Sequence, residues 1–365
     1  MADWAQSSTT DKPIRVLVVD DSVVIRRLVT LALREDPTFE VVGIAANGKI
    51  ALHKIPQIQP DVVTLDIEMP EMDGLETLKR IKKDYPRIRV VMFSTLTQRG
   101  AHYTFEALTL GADEYVTKAA NVGPLDTSLA SLRAELGPKI RQFFQRPPRT
   151  EARPGTAPPP PRPVTPSPTF RQAAGRIDIV AIAVSTGGPN ALAEVFPVLP
   201  AGLRCPVVIT QHMPPMFTRL LAERLDAKSP LRVFEAADGM EIEPASAYFA
   251  PGDHHLTVRR VPGKVVAKLN QDPPENSCRP AADVMFRSVA ETYGGACLAV
   301  VLTGMGRDGL AGARILKQAG ARVLAQDEAS SVVWGMPGHV VQAGLADEIA
   351  PIGKIAGSIA RFVGR

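Results

Sequence analysis

Ten of the 23 residues from 146 to 168 are proline. Proline fixes φ and has no amide hydrogen, so such a stretch neither continues a helix nor supplies a central strand. The intervening Thr, Ala, Ser and four arginines leave no apolar periodicity. Residues 146–171 are therefore expected to form a semi-rigid spacer, which in polyproline II would reach roughly 70 Å when fully extended. P-x-x-P matches, which would suit an SH3-type partner, arise by chance at this proline density, so a plain spacer is the simpler reading. The spacer divides the chain into residues 1–145 and 172–365, each long enough to bury a core of its own.

Composition narrows the function classes. Three cysteines, Cys205, Cys278 and Cys297, with no C-x-x-C, give neither a disulfide framework nor a zinc site, and a reducing, cytoplasmic setting fits them. Residues 1–13 lack the apolar core of a signal peptide. No apolar run approaches the ~20 residues that span a bilayer, so no membrane insertion is expected. The formal net charge is +4, but the arginines are scattered and several lie in the spacer. No compact helix-turn-helix pattern follows Pro168, and no nucleic-acid partner is expected.

Before the spacer, β-branched runs alternate five times with helical patterns: residues 14–19 then 25–34, 41–44 then 49–55, 61–65 then 75–84, 90–93 then 104–110, and 114–116 then 125–144. This alternation predicts a doubly wound parallel sheet. The second unit repeats the style, with strands expected at 177–184, 207–210, 296–302 and 322–325. A hairpin expected around 248–269 would make its sheet mixed. Both units are α/β.

In parallel sheets, ligands bind beyond the carboxyl ends of the strands. Here Asp20 and Asp21 end the first strand, Asp66 the third, Ser94 the fourth and Lys118 the fifth. Three carboxylates converging on one edge repel, and a hard divalent cation such as Mg2+ relieves that repulsion. Solvated acids with one ion pair to Lys118 are the plainer alternative. The stretches Val19-Asp20-Asp21-Ser22, Leu65-Asp66-Ile67-Glu68-Met69-Pro70-Glu71-Met72-Asp73-Gly74 and Tyr115-Val116-Thr117-Lys118 resemble the receiver domains of two-component response regulators, over residues 14 to about 135. The resemblance implies a flavodoxin-like fold and phosphoryl transfer to Asp66 from a sensor kinase. It also implies Mg2+ held by Asp20, Asp21, Asp66 and the carbonyl of Glu68. Ser94 and Lys118 would bind the acyl phosphate, and Tyr115 would act as a rotameric switch. Where such domains commonly place proline after the lysine, this chain has Ala119, which puts the shape of that loop and its partner contacts in question.

In the second unit, Ser185 leaves the strand at 177–184 on the turn Ser185-Thr186-Gly187-Gly188-Pro189, ahead of a helix. A serine so placed is exposed with a helix N-terminus beneath it, as suits a nucleophile. The match to G-x-S-x-G is partial, because Ala183 stands at the first glycine. The same turn suits a capping serine or a bound phosphate. His212 follows the next strand on the same edge, where a base would be needed, although an ordinary strand-end histidine fits there too. His53 and His102 lie in the first unit, and His339 lies near a late turn. His254 and His255 are expected in a loop before the hairpin. As adjacent residues they would point to opposite faces of a strand, which disfavours a metal pair; His255 is a candidate for lining a groove.

The segment Thr303-Gly304-Met305-Gly306-Arg307-Asp308-Gly309 reads two ways. As G-x-G-x-x-G between the apolar run 296–302 and the helical pattern 310–318, with Asp327 beyond the next strand, it is a dinucleotide fingerprint using Gly304, Gly306 and Gly309. With Ser185 and His212 upstream, it instead places Asp308 as the carboxylate of a triad, with the amides of residues 304–306, Met305 above all, as an oxyanion hole. Asp283 is the rival acid, better suited to capping or local pairing.

Together Ala183-Val184-Ser185-Thr186-Gly187-Gly188-Pro189, Gln211-His212-Met213-Pro214, Ala250-Pro251-Gly252-Asp253-His254-His255 and the 303–309 turn resemble the chemotaxis protein-glutamate methylesterase (CheB) family, over nearly the whole chain apart from the spacer. The resemblance implies a Rossmann-like α/β esterase domain with the triad Ser185, His212 and Asp308, and Met305 and Thr186 supporting the oxyanion. It implies demethylation of chemoreceptor glutamates with release of methanol, deamidation of receptor glutamines, and no cofactor for the hydrolysis. A chemotaxis histidine kinase would be the phosphodonor, and the unphosphorylated receiver would cover the esterase cleft. Two departures stand out: Ala281-Ala282 where this family often has Ser-Val, and the long spacer. The first bears on the groove and the second on docking between the domains.

Overall fold

Parallel strands, most of them followed by a helix, organise both halves of the chain. The computed structural model describes residues 12–95, 97–118, 125–144 and 176–364; the spacer and Ala119 lie outside them. The chain divides into two compact units, Met1–Gln145 and Arg146–Arg365.

The first unit runs β1 (Ile14–Val19), α1 (Val23–Arg34), β2 (Phe39–Ala45), α2 (Gly48–Ile58), β3 (Val62–Asp66), α3 (Gly74–Asp84), β4 (Arg89–Ser94), α4 (Gln98–Thr109), β5 (Glu114–Thr117) and α5 (Leu125–Arg141). Its sheet order is β2-β1-β3-β4-β5, with every pairing parallel. Val16, Val18, Val91, Phe93 and Val116 from the sheet pack with Val29 and Leu33 of α1 and Leu136 and Ile140 of α5. Side-chain caps start the helices just beyond the strand ends. Ser22 Oγ accepts from the Ile25 amide at 3.4 Å, Asn47 Oδ1 from Ile50 at 2.9 Å and Asp73 Oδ1 from Glu76 at 2.8 Å, each cap contributing about 1 kcal/mol. Thr97 caps α4 in the same way, so that helix begins six residues before the sequence pattern at 104 indicates. Gly74 is required where α3 departs, because a Cβ there would lie 2.0 Å from the carbonyl oxygen of Asp66.

The second unit runs β6 (Ile179–Val184), α6 (Gly188–Val195), β7 (Val207–Gln211), α7 (Phe217–Asp226), β8 (Arg232–Glu235), β9 (Ser246–Phe249), β10 (His255–Val261), β11 (Lys264–Asn270), α8 (Ala282–Tyr293), β12 (Cys297–Val301), α9 (Leu310–Gln318), β13 (Arg322–Gln326), α10 (Met336–Gln342), β14 (Glu348–Ala350) and α11 (Ile352–Val363). Its main sheet has the order β14-β13-β12-β6-β7-β9-β8 and is parallel at every pairing. The expected mixed sheet is therefore corrected. The antiparallel hairpin β10–β11 exists, but as a separate two-stranded sheet. Tyr248 belongs to β9, which lies between β7 and β8 in the main sheet. β6 stands between β7 and β12, so the segments leaving these three strands meet at one carboxyl edge. Beneath that edge Ala183, Ala282, Met285, Phe286 and Met336 belong to one buried cluster. Among the described residues, no helix is long and apolar enough to cross a membrane.

Candidate functional site

At the carboxyl edge of the first unit, ligand atoms of Asp20, Asp21 and Asp66 lie within 4.8 Å of one another. Lys118 Nζ sits 2.8 Å from Asp66 Oδ1 and 3.0 Å from Asp20 Oδ2. That approach to Asp20 lacks hydrogen-bonding geometry, leaving Oδ2 a buried oxygen without a hydrogen-bond donor among the described residues. Burial, and then the charge of Asp20, push the Asp66 carboxyl up to about 6 against the opposing pull of Lys118. One ammonium among three carboxylates leaves excess negative charge in a site of low dielectric, and a hard divalent cation with oxygen ligands fits that deficit. A cleft of about 270 Å³ opens there, lined by Asp21, Asp66, Glu68, Thr95, Tyr103 and Lys118 among others.

The remaining predicted residues of this edge are placed less directly. The Glu68 side chain is exposed and faces Arg99 at 3.6 Å, outside the carboxylate cluster, so only its carbonyl is left for the expected metal role. Ser94 is buried. Its hydroxyl accepts from Thr104 Oγ1 at 2.6 Å and donates to the Gly100 carbonyl at 3.1 Å, which ties it to α4 and leaves it unbonded to Asp66. Tyr115 is buried, its ring 5.0 Å from the Lys139 ammonium, and burial holds its phenol well above the usual range.

In the second unit, the strand register pairs Val184 with Gln211, so Ser185 and His212 leave neighbouring strands at the same height. The Ser185 amide donates to the Thr303 carbonyl at 3.0 Å, and its own carbonyl accepts from the Gly188 amide at 2.7 Å and Gln211 Nε2 at 3.0 Å. His212 Nε2 lies 2.8 Å from Asp308 Oδ2. Among the described residues no hydrogen bond joins Ser185 Oγ to the imidazole, whose Nδ1 faces Cys278 Sγ at 3.6 Å. The structure thus joins His212 to Asp308 and sets Ser185 beside them.

Asp308 is fixed from several directions. Oδ2 also accepts from the Ala282 amide at 2.6 Å, and Oδ1 accepts at 3.0 Å from Asn276 Nδ2 and from the amides of Asp283 and Gly309. Helix α8 has no side-chain cap from its own N-cap residue, Ala281, so Asp308 does that work from across the site. Burial alone would raise the Asp308 carboxyl, but His212 and the α8 amides hold it below the usual range. For His212 burial disfavours the charged ring, yet Asp308 and Cys278 outweigh it and push the imidazole up to about 10.

One expectation is met in part and one is corrected. Asp283 does cap a helix, but across the fold and not locally: Oδ1 accepts from the first-turn Gly312 amide of α9 at 2.6 Å and Oδ2 from Asn276 Nδ2 at 2.9 Å. His255 heads β10 and is buried, with Nδ1 accepting from the Ala281 amide at 3.1 Å and Nε2 3.3 Å from the Pro273 carbonyl. Both ring nitrogens serve the fold, and His255 lines no groove.

The family model for CheB methylesterase matches residues 180–359, and that for the response regulator receiver domain matches residues 16–130. The protein-glutamate methylesterase/protein-glutamine glutaminase of Trichodesmium erythraeum is 49% identical to this chain over 350 residues, covering 96% of this chain and 99% of its own. This chain belongs to the protein-glutamate methylesterase/protein-glutamine glutaminase family. The Nocardioides relative of the same name is 47% identical over 358 residues, covering 96% of each chain. The crystal structure of the Thermotoga maritima CheB methylesterase catalytic domain matches with a TM-score of 0.50 at 45% identity, over 51% of this chain and 98% of that one.

In this methylesterase family member, the 303–309 turn is built against Ser185. Thr303 Oγ1 donates to the Thr186 carbonyl at 2.9 Å and accepts from the Val333 amide at 3.0 Å, while the Thr303 amide donates to Gln326 Oε1 at 2.8 Å. The amides of Met305 and Gly306 donate to no acceptor among the described residues. Asp327, the acid of the dinucleotide alternative, accepts from the amide and hydroxyl of Ser330 at 3.0 and 2.5 Å. Sequence reasoning passed over Asn276 and Cys278. They lie 32 residues from Asp308 and 66 from His212 respectively, in a segment with no apolar pattern to place it.

Proposed function

We propose that this chain is a phosphorylation-regulated serine hydrolase that demethylates glutamate methyl esters on chemoreceptors, releasing methanol, and deamidates receptor glutamines. The observation that carries the reading is the His212–Asp308 pair at 2.8 Å, on the sheet edge that also presents Ser185, in a chain of this family. His212 takes the hydroxyl proton of Ser185 as Oγ attacks the γ-carbonyl of the methylated side chain. The oxyanion that forms is met by the Met305 amide, with Thr186 in support. Collapse expels methanol, which receives its proton from His212. A water, deprotonated by the same imidazole, then hydrolyses the acyl-enzyme and restores glutamate. With a glutamine substrate the leaving group is ammonia. Asp308 stays ionised throughout, holding the ring and stabilising its positive form.

The receiver controls this chemistry through Asp66, which accepts a phosphoryl group from a chemotaxis histidine kinase. Mg2+ would be held by the carboxylates of Asp20, Asp21 and Asp66 and the carbonyl of Glu68, and when bound it offsets charge on the phosphoryl oxygens. Lys118 supplies the cation that remains on the acyl phosphate. Ser94 joins it by giving up its bonds to Thr104 and Gly100, and Tyr115 is the switch. The enzyme works in the cytoplasm, on receptors that are themselves in the membrane. The deciding experiment measures methanol release from methylated receptor membranes by the full-length chain, with and without Mg2+ and acetyl phosphate. Release that rises with the phosphodonor supports both parts; no release in either state overturns the reading.

A further inference from the structure

The esterase site holds one feature that the proposed triad leaves unused. Nε2 of His212 is committed to Asp308, whose position is set by four further donors. Nδ1 is therefore the ring nitrogen left for Ser185. That nitrogen has a single in-plane direction for a hydrogen bond, whichever partner carries the hydrogen. In the structure this direction belongs to Cys278, 3.6 Å away, and Ser185 Oγ makes no bond to the ring.

Cys278 is held there by a braced loop. Asn276 and Ser277 both adopt left-handed backbone, with φ of 52° and 62°, a region that non-glycine residues seldom occupy. The ends of the turn are tied, the Glu275 amide to the Cys278 carbonyl at 3.1 Å and the Cys278 amide back to the Glu275 carbonyl at 2.9 Å. Arg287 grips the Glu275 carboxylate at 2.8 and 2.5 Å. Arg279 binds Asp253 Oδ1 at 2.9 Å and the carbonyls of Gln271 and Asp272 at 3.1 Å each. The side chain of Asn276, in the same turn, reaches Asp308. One loop thus addresses both the acid and the base of the site.

We infer that Cys278 is the resting partner of the His212 base and competes with Ser185 for Nδ1. The inference deepens the proposed esterase and rests on it for the role of Ser185. Sulfur is a weak donor and a weak acceptor. It is therefore strong enough to hold the ring in the empty site and weak enough to yield to a serine hydroxyl when substrate is seated. Cys278 is on this account a positioning residue, acting through His212 and touching no substrate.

The test uses the full-length chain and a fluorophosphonate ester, in which Ser185 Oγ attacks phosphorus, fluoride leaves and His212 takes the proton. Cys278→Ala should raise the labelling rate of Ser185 by about threefold or more, the worth of one weak hydrogen bond. Cys278→Ser should lower it below the original chain, because a hydroxyl binds Nδ1 more firmly than a thiol. A residue needed only for packing would leave the original chain fastest, and that order overturns the inference. Nitrogen-15 NMR of the His212 ring gives a readout independent of labelling. The Nδ1 resonance should move in Cys278→Ala; a resonance that moves in Ser185→Ala but not in Cys278→Ala also overturns it. If no variant is labelled while the resonance still follows Cys278, Ser185 falls as the nucleophile and the thiol stands as the partner of the ring.

Discussion

A Cβ built on Gly304 would lie 2.8 Å from the Cβ of Ser185 and 2.4 Å from Met336 Sδ. The turn that carries Met305 and Asp308 therefore touches the proposed nucleophile with nothing between them. Gly304→Val must displace Ser185, and misplacement of a reacting group by about 1 Å costs on the order of 100-fold in rate. Methanol release should fall by that order while phosphoryl incorporation at Asp66 stays unchanged. An unaltered esterase rate would show that the turn yields and the contact is not critical.

Removing Asp308 should cost stability as well as activity. Asp308→Ala leaves the amides of Ala282 and Asp283 without their acceptor and takes one of the two acceptors from Asn276 Nδ2, which keeps Asp283, a loss of about 2–4 kcal/mol. Ser185→Ala removes a hydroxyl with no hydrogen bond among the described residues and should stay within about 0.5 kcal/mol of the original chain. Urea unfolding of the two variants, both inactive as esterases, separates the roles; equal midpoints would contradict the capping of α8.

The pH dependence follows from His212. A base must be neutral to accept the serine proton, and against the effect of burial Asp308 and Cys278 together move its titration from the ordinary 6.5 up to about 10. The esterase rate should therefore climb with pH well above neutrality. Asp308→Asn should move any residual rate toward the ordinary histidine range. For stability the sign is opposite. A raised folded pKa adds stability that is fully present below the unfolded value and fades as pH rises through the folded one, so the His212 contribution is lost between about 6.5 and about 10. A pH–rate profile that is flat above pH 7 would refute the assignment.

At the other site, Asp66→Asn should abolish phosphoryl incorporation from acetyl phosphate and, with it, the rise in esterase rate. Chelation of divalent cations with EDTA should do the same to the unsubstituted chain, since Asp20, Asp21 and Asp66 leave a charge deficit that Lys118 does not fill. Phosphoryl incorporation that persists in EDTA would remove the metal from the reading.

The parts of the fold legible in the sequence are those written in local periodicity. The five strand–helix repeats of the first unit and the strand ends carrying Asp20, Asp66, Ser185 and His212 are set by apolar runs and by the polar residues that stop them. Pairing is not local. β8 and β9 are four residues each, and nothing in the run at Tyr248 says that it pairs with β7 in place of the following hairpin. The nucleophile candidate and its base were readable because both sit where a strand ends. Asn276 and Cys278 were not, because a loop's contacts depend on the ion pairs bracing it, here Arg287 to Glu275 and Arg279 to Asp253. Burial likewise decided His255, whose two ring bonds join segments distant in sequence.

The cap that Asp308 supplies to α8 bears on how an inactive descendant of this chain would look. On the proposed triad, loss of Ser185 or His212 would end the chemistry and leave the α8 cap in place, whereas loss of Asp308 would remove the cap whether or not any ester were being cleaved. A relative that has given up hydrolysis should therefore still carry an aspartate at this turn. Serine and histidine, not the acid, are the residues to inspect when asking whether such a relative still works.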